Sequence, residues 1–461
     1  MSQALPKINQ KHTVKVNEGS GVLIQPMSAD YAYVLTAKHC LKTNVDDLNS
    51  AFIKPHKVYS FEGTEIPVID VICHDTKDMA ILIIASKPDY ELMVNCDPLQ
   101  VNDQLMLCGF PKDRREKDEE YSAFQYRFSH PSGDRLILSS EVPGVVHSNV
   151  VGFSGGGLFT LGLLGNPILL CAIETKMDGN VDNECHGNIS AIPISEFEQL
   201  ISDPSKSYLN EPLAPLLPLH LSSFKHLRQL IFTISNSWTL EYKLSFLKDR
   251  LREIAAEDIE VNLVPHEILK VFRQSLIVRN RPEHELQSKE LWAALLELLT
   301  ISILIDKPQI VNFSYVEKMI NSRRLIFIGV NEPWQEHITE IFKAELNGLQ
   351  QNGIIVVQTL SSQRSVSFSN ERLRKLVNAR NIAKPSSDLR SITNSRTNLS
   401  KVNSIVDLNA LHAECIEIKE SLYENHTDAV SFNDEKLAEL RSILAEEYSV
   451  YLTVKVVPDD N

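Results

Sequence analysis

Short apolar runs broken by turn residues dominate the first 200 positions of the chain. GVLIQP, YAYVLTA, IPVIDVI, MAILIIA, QLMLCGF, RLILSS and PILLCAIET are rich in β-branched and aliphatic side chains. No stripe at helical spacing interrupts them before ISEFEQLI at 194–201. This pattern predicts an all-β region, barrel or sandwich, closed by one helix. The proline-studded EPLAPLLPLHL (211–221) reads as a linker. Beyond it the period lengthens. Residues 222–305 follow helical spacing, most regularly in SKELWAALLELLTISILI (288–305), where Leu291, Leu295 and Leu298 share one stripe.

A strand–helix–strand unit follows. RRLIFIGV (323–330) reads as a buried strand, EPWQEHITEIFKAELNGLQ (332–350) as an amphipathic helix and GIIVVQTL (353–360) as a second strand. Gly348 and Gly353 stand where a helix end and a turn favour glycine. A crossover of that length predicts parallel pairing. The polar, Ser-rich stretch 384–404 reads as a mobile loop, and two helices and the strand YSVYLTVKVV close the chain. Trp292 and Trp334, on amphipathic segments, read as core residues. The predicted organisation is therefore a β domain over 1–210, a linker over 211–221, and a helical plus α/β domain over 222–461.

Length and charge narrow the class. At 461 residues two domains are expected. A net charge of -14 speaks against a general nucleic-acid or membrane-surface binder. The opening MSQALPKINQKHTVKV has no apolar core of the signal-peptide kind, and no stretch approaches the roughly 18 apolar residues of a membrane span. Seven cysteines, at 40, 73, 96, 108, 171, 185 and 415, are odd in number, irregular in spacing and free of CxxC pairs. They point to free thiols in a reduced, cytoplasmic protein. Neither a GxxxxGK[ST] phosphate loop nor an HExxH zinc pair occurs in the C-terminal half, so no cofactor or metal is expected.

One stretch is costly for a strand-forming region: VVGFSGGGLF (150–159) sets Gly152, Gly155, Gly156 and Gly157 around Ser154. An oxygen nucleophile needs a base for its proton and donors for the oxyanion, and glycines let backbone N–H groups turn inward. Upstream, His39 ends the strand YVLTAKHC, a candidate base. Asp78 in HDTKDMAILII directly precedes a strand, a candidate orienter preferred over Asp75 on that ground.

TAKHC resembles the TAAHC block of trypsin-like serine proteases, DMAIL their D-[hydrophobic]-A-L block, and GFSGGGLF their GDSGGPL block, over residues 15–200 and in the same order. The resemblance implies a double β-barrel with the site in the cleft between barrels. It implies His39 as general base, Asp78 as its orienter and Ser154 as nucleophile, with the Gly152 and Ser154 N–H groups as oxyanion hole. GFSGG also fits the G-x-S-x-G elbow of α/β-hydrolases, but that fold expects a helix after the serine and the order Ser, Asp, His. Three departures stand out. No upstream cysteine can partner Cys40, Phe153 replaces the aspartate that receives a freed N-terminus in zymogen-type relatives, and Gly157 replaces proline. Removal of a leader is therefore not expected to switch activity on. By the family pattern the pocket floor falls near Ser148, with His147 beside it, and the pocket wall at Glu174, Thr175 and Lys176. With no aspartate at the floor, a trypsin-like preference for Arg or Lys is not expected. Read as strand residues alone, Glu174 and Lys176 are a solvated strand end.

SKELWAALLELL and the strand–helix–strand unit after it resemble the C-terminal domains of bacterial ABC-three-component conflict systems. That resemblance implies docking on partners that include an ABC-type ATPase, and a protease effector held in check until an anti-phage signal arrives. The alternatives are a constitutive quality-control protease of the HtrA kind and a catalytically silent peptide-binding module.

Overall fold

A computed structural model of the protein describes residues 7–44, 47–112, 120–141, 150–161, 167–177, 187–232, 242–278, 282–329, 331–343, 346–360, 367–369, 400–426 and 433–454. The chain forms two compact units, Met1–Leu219 and His220–Asn461.

The first unit begins with a short helix, α1 (Lys7–His12), which leads into β1 (Thr13–Val16), β2 (Gly19–Ile24) and β3 (Tyr31–Thr36). With β4 (Val58–Tyr59), β5 (Val68–Cys73) and β6 (Ala80–Ala85) these make an antiparallel sheet in the order β4–β1–β2–β3–β6–β5. The central strands β3 and β6 are apolar at nearly every position because both faces are covered. Val34, Leu82 and Ile84 pack on one side, Tyr33, Leu35, Ile81 and Ile83 on the other. Each such side chain contributes roughly 1.5–3 kcal/mol by leaving water.

The second half of this unit is a closed barrel, β10–β11–β12–β9–β8–β7. Its strands are β7 (Gln104–Gly109), β8 (Ser122–Ser132), β9 (Arg135–Ser140), β10 (Gly157–Thr160), β11 (Leu170–Met177) and β12 (Ile189–Pro193). Leu105, Leu107, Tyr126, Leu138, Phe153, Leu158, Ala172 and Ala191 fill one core cluster. Two barrels are expected from the sequence, and the hydrogen bonding closes the second only. The first stays a sheet with β4 and β5 at its edges.

Helix α2 (Ile194–Ser202) follows, burying Ile194, Phe197, Leu200 and Ile201 on one face. A hairpin of β13 (Ser207–Tyr208) and β14 (Glu211–Pro212) then opens the proline-rich stretch, which is packed. Leu213 and Leu216 are buried in the cluster that holds Tyr31 and Tyr33. The Tyr33 hydroxyl donates to the Ala214 carbonyl at 3.0 Å, and the Tyr31 hydroxyl accepts from the Ala214 N–H at 2.9 Å.

In the second unit, α3 (Tyr242–Ile254), α4 (Pro265–Phe272), α5 (Lys289–Asp306) and α6 (Phe313–Ser322) precede the sheet. Ser288 caps α5 by accepting from the Glu290 N–H, and every residue from Leu291 to Leu304 is buried. This helix is enclosed on all sides, so the single leucine stripe understates it. Strands β15 (Arg323–Ile328), β16 (Gly353–Thr359), β17 (Ser367–Ser369) and β18 (Val402–Asp407) form a sheet in the order β15–β16–β18–β17. The β15–β16 pair is parallel, as the crossover predicts.

Three local expectations need correction. The helix expected over 332–350 is a 3-10 turn at Trp334–His337 running into the short α7 (Ile338–Lys343), and Gly348, at φ +78°, makes a turn before β16. Val402 onward is a strand parallel to β16, although the stretch 384–404 reads as loop; residues 384–399 lie outside the described residues. After α8 (Leu408–His412), the segment YSVYL belongs to α9 (Asp434–Leu452). There the four-residue spacing of buried Leu440, Leu444, Tyr448 and Leu452 overrides local strand propensity. Trp292 and Trp334 are both fully buried.

Among the described residues no helix is long and apolar enough to cross a membrane. Of the cysteines, 40, 73, 96, 108, 171 and 415 are free thiols, and Cys185 lies outside the described residues.

Candidate active site

Strand register brings the first two candidates together. Thr36, the last residue of β3, pairs with Ala80, the first of β6, so the chain leaving one strand lies beside the chain entering the other. His39 sits on the 3-10 turn Lys38–Leu41 just after β3, and Asp78 two residues before β6. The His39 backbone N–H donates to Asp78 Oδ1 at 2.9 Å, and ring Nδ1 lies 2.8 Å from Oδ2. Against an ionised carboxylate, Nδ1 carries the proton and Nε2 is left as the basic atom. Asp75 is elsewhere: its carboxylate is 82% exposed and pairs with Lys206 at 2.9 Å.

Burial pulls the His39 imidazole down, but the bond to Asp78, helped by Cys40, outweighs it, and the ring titrates above an ordinary histidine. Burial pushes Asp78 up, yet the bonds from His39 and the nearby Arg135 charge leave it below an ordinary aspartate.

Ser154 comes from the second half of the unit, on the turn between Val150 and β10. Two of its glycines are obligatory. Gly152 has φ +99°, and a Cβ there would stand 2.7 Å from the Phe110 carbonyl oxygen. Gly155 has φ +87°, and a Cβ there would stand 2.0 Å from the Ser20 carbonyl oxygen. The Ser154 carbonyl accepts from the Ser20 N–H at 2.7 Å and from Cys40 Sγ at 3.2 Å, so the residue after His39 holds the backbone of Ser154. Ser20 Oγ donates to the Gly152 carbonyl at 2.8 Å and accepts from the Phe110 N–H at 2.9 Å. Among the described residues, neither the Gly152 nor the Ser154 N–H donates to a protein acceptor. Phe153 is fully buried in the barrel core, its ring 5.5 Å from that of Phe124.

The three wall candidates separate. Lys176 is exposed, whereas Thr175 is buried and donates from Oγ1 to the Ser190 carbonyl at 3.1 Å. Glu174 is only 1% exposed, so it is no solvated strand end. Its N–H donates to the Gly156 carbonyl at 2.9 Å and its carbonyl accepts from the Gly155 N–H at 2.8 Å, which fixes it beside the Ser154 turn. Burial lifts its carboxyl to about 8; His39 opposes that shift, Asp78 adds to it, and the Ser154 hydroxyl opposes it by hydrogen bonding. Ser148 and His147 lie outside the described residues. Ser20, Cys40 and Tyr126 escaped sequence reasoning. Only the position of Cys40 next to His39 carried any signal.

Chemically, the arrangement offers a carboxylate-oriented imidazole, a serine on a glycine turn and two free backbone donors, the parts of an acyl-transfer centre. No curated protein matches the chain. Among solved structures, the Rv3671c protease from M. tuberculosis in its active form is 16% identical, covering 45% of this chain and 87% of that one, with a TM-score of 0.33. The inactive form of the same protease is 17% identical, covering 42% and 89%, at TM-score 0.30. Kallikrein-related peptidase 10 is 14% identical, covering 43% and 97%, at TM-score 0.32. Residues 191–417 match the family model described as C-terminal domain 4 of the ABC-three component systems. The chain joins a β unit, built of a six-stranded sheet and a closed six-stranded barrel, to a helical and α/β region similar to that C-terminal domain.

Proposed function

We propose that the protein is a serine endopeptidase working through His39, Asp78 and Ser154. The observation that supports this most is the doubly bonded His39–Asp78 pair, with the Ser154 backbone held by Cys40, the residue next to His39. Ser154 Oγ attacks the scissile carbonyl while His39 Nε2 takes its proton. The carbonyl oxygen becomes an oxyanion held by the Gly152 and Ser154 N–H groups. His39 then gives its proton to the leaving amine, and the C–N bond breaks to leave an acyl-serine. Water, deprotonated by His39, releases the acid and restores the serine. Asp78 keeps the proton on Nδ1 and stabilises the imidazolium of both steps. Glu174, Thr175 and Lys176, with Ser148 near the floor, are the substrate-binding residues of this reading.

The match over residues 191–417 supports a further step: a cytoplasmic effector of a bacterial defence system, controlled through its C-terminal region by partners such as an ABC-type ATPase. Phe153 favours such outside control, because a side chain packed in the barrel core cannot receive a new N-terminus. The test is labelling by a fluorophosphonate, which reacts only with an activated serine. Wild type should be labelled and Ser154→Ala should not, with an unchanged melting curve. Equal labelling of both would move the nucleophile elsewhere, and no labelling of wild type would leave a peptide-binding module.

A further inference from the structure

Glu174, placed above in the pocket wall, carries a carboxyl group that none of the proposed bond-making or proton-transfer steps uses, and its placement is unusual. It is buried in the wall of the second barrel, and its own backbone is bonded to Gly155 and Gly156, the two residues after the nucleophile. Its Oε2 is buried with no hydrogen-bond partner, and the phenol oxygen of Tyr126, a neighbour whose ionisation Glu174 opposes, is likewise unpartnered. The groups facing the carboxyl are His39 and Asp78 from the first sheet, Tyr126 from β8 and the Ser154 hydroxyl. The one group among them that can be a cation, His39, is already bonded to Asp78, so an ionised Glu174 would be a buried charge without an ion-pair partner of its own, which proteins avoid.

An acyl-transfer site makes that avoidance a requirement. A carboxylate beside Ser154 accepts the serine proton and so competes with His39 Nε2 for it. It also places negative charge where the oxyanion must form, and it favours the imidazolium over the free base. A neutral carboxyl does none of this.

We propose that Glu174 is a positioning residue that serves the nucleophile only in its protonated form, leaving the Ser154 hydroxyl to His39, and that its ionisation disables the site. The inference rests on Ser154 being the nucleophile. Burial that keeps the proton on Glu174 at neutral pH is then part of the working site.

The experiment measures the second-order rate of fluorophosphonate labelling of the full-length chain from pH 6 to pH 10, for wild type and Glu174→Gln. With a carboxyl titrating at about 8, roughly nine wild-type molecules in ten are neutral at pH 7 and one in ten at pH 9. The ratio of E174Q to wild-type rates should therefore rise about tenfold between pH 7 and pH 9. His39 ionises in both proteins, and any stabilisation of its imidazolium by ionised Glu174 slows wild type alone, which moves the ratio in the same direction. A purely structural role would change the ratio's size and leave it independent of pH. Glu174→Met, apolar and similar in length, carries the same expectation should a buried amide prevent folding. A flat ratio in labelled, folded proteins overturns the Glu174 proposal and leaves the nucleophile standing. Wild type unlabelled at every pH, like Ser154→Ala, overturns the nucleophile reading and the proposal with it.

Discussion

Replacing Asp78 by asparagine tests the site with the least disturbance of shape. The side chain keeps its size and one carbonyl oxygen, so the bond from the His39 N–H survives, but the charge 2.8 Å from Nδ1 disappears. At an effective dielectric constant of about 20, a unit charge at that distance stabilises an imidazolium by about 6 kcal/mol. That energy corresponds to roughly 10⁴-fold in rate. Loss of the preferred tautomer acts in the same direction, and the two overlap rather than add. The expected outcome is a loss of roughly 10³–10⁴-fold in both peptide hydrolysis and fluorophosphonate labelling near pH 7. Asp75→Asn is the control. Its carboxylate faces solvent beside Lys206, and both rates should stay unchanged. A D78N protein within tenfold of wild type, or a D75N protein that alone loses activity, would refute the assignment of the orienting carboxylate.

Further outcomes follow from the same geometry. Because His39 titrates above an ordinary histidine and must be neutral to act as base, labelling should still be rising with pH well above 6.5; a plateau beginning near pH 6.5 would deny the raised value. The Asp78 carboxyl is held low by its partners, so its contribution to stability is present at neutral pH and lost as pH falls through that depressed value, to be followed by acid titration of unfolding. Gly155→Ala combines positive φ with a Cβ 2.0 Å from the Ser20 carbonyl oxygen, and should cost about 2 kcal/mol or more and abolish labelling; an unchanged melting temperature would contradict it. Phe153→Asp, which rebuilds the zymogen-type sequence, should bury a charge in the barrel core and destabilise the unit by roughly 3 kcal/mol or more, with no activation on trimming the N-terminus.

The His39–Asp78 pairing and the glycine turn at Ser154 could be read from the sequence because each residue stands at a strand end inside a short, distinctive block. The choice of Asp78 over Asp75 needed only the position of the following strand. The burial of Glu174 is not legible in the same way. A charged residue near a strand end reads as solvated, and its burial depends on a register with Gly155 and Gly156 that no local pattern reveals. Likewise β18 is invisible in VNSIVD, whose Asn403 and Ser404 look like loop until β16 and β17 flank the strand. The last helix was lost to the opposite error, when the strand propensity of YSVYL hid a four-residue stripe that begins at Leu440.

The bond from the Ser20 N–H to the Ser154 carbonyl spans the two halves of the first unit, since Ser20 belongs to β2 and Ser154 to the turn before β10. The amide proton of Ser20 is therefore a built-in sensor of the Ser154 turn. While the turn is seated, that proton is shielded and exchanges with solvent slowly; when the turn lifts, it exchanges freely. Any event that opens or seats the turn can be followed at this one amide by deuterium uptake, with no substrate and no chemistry at the serine.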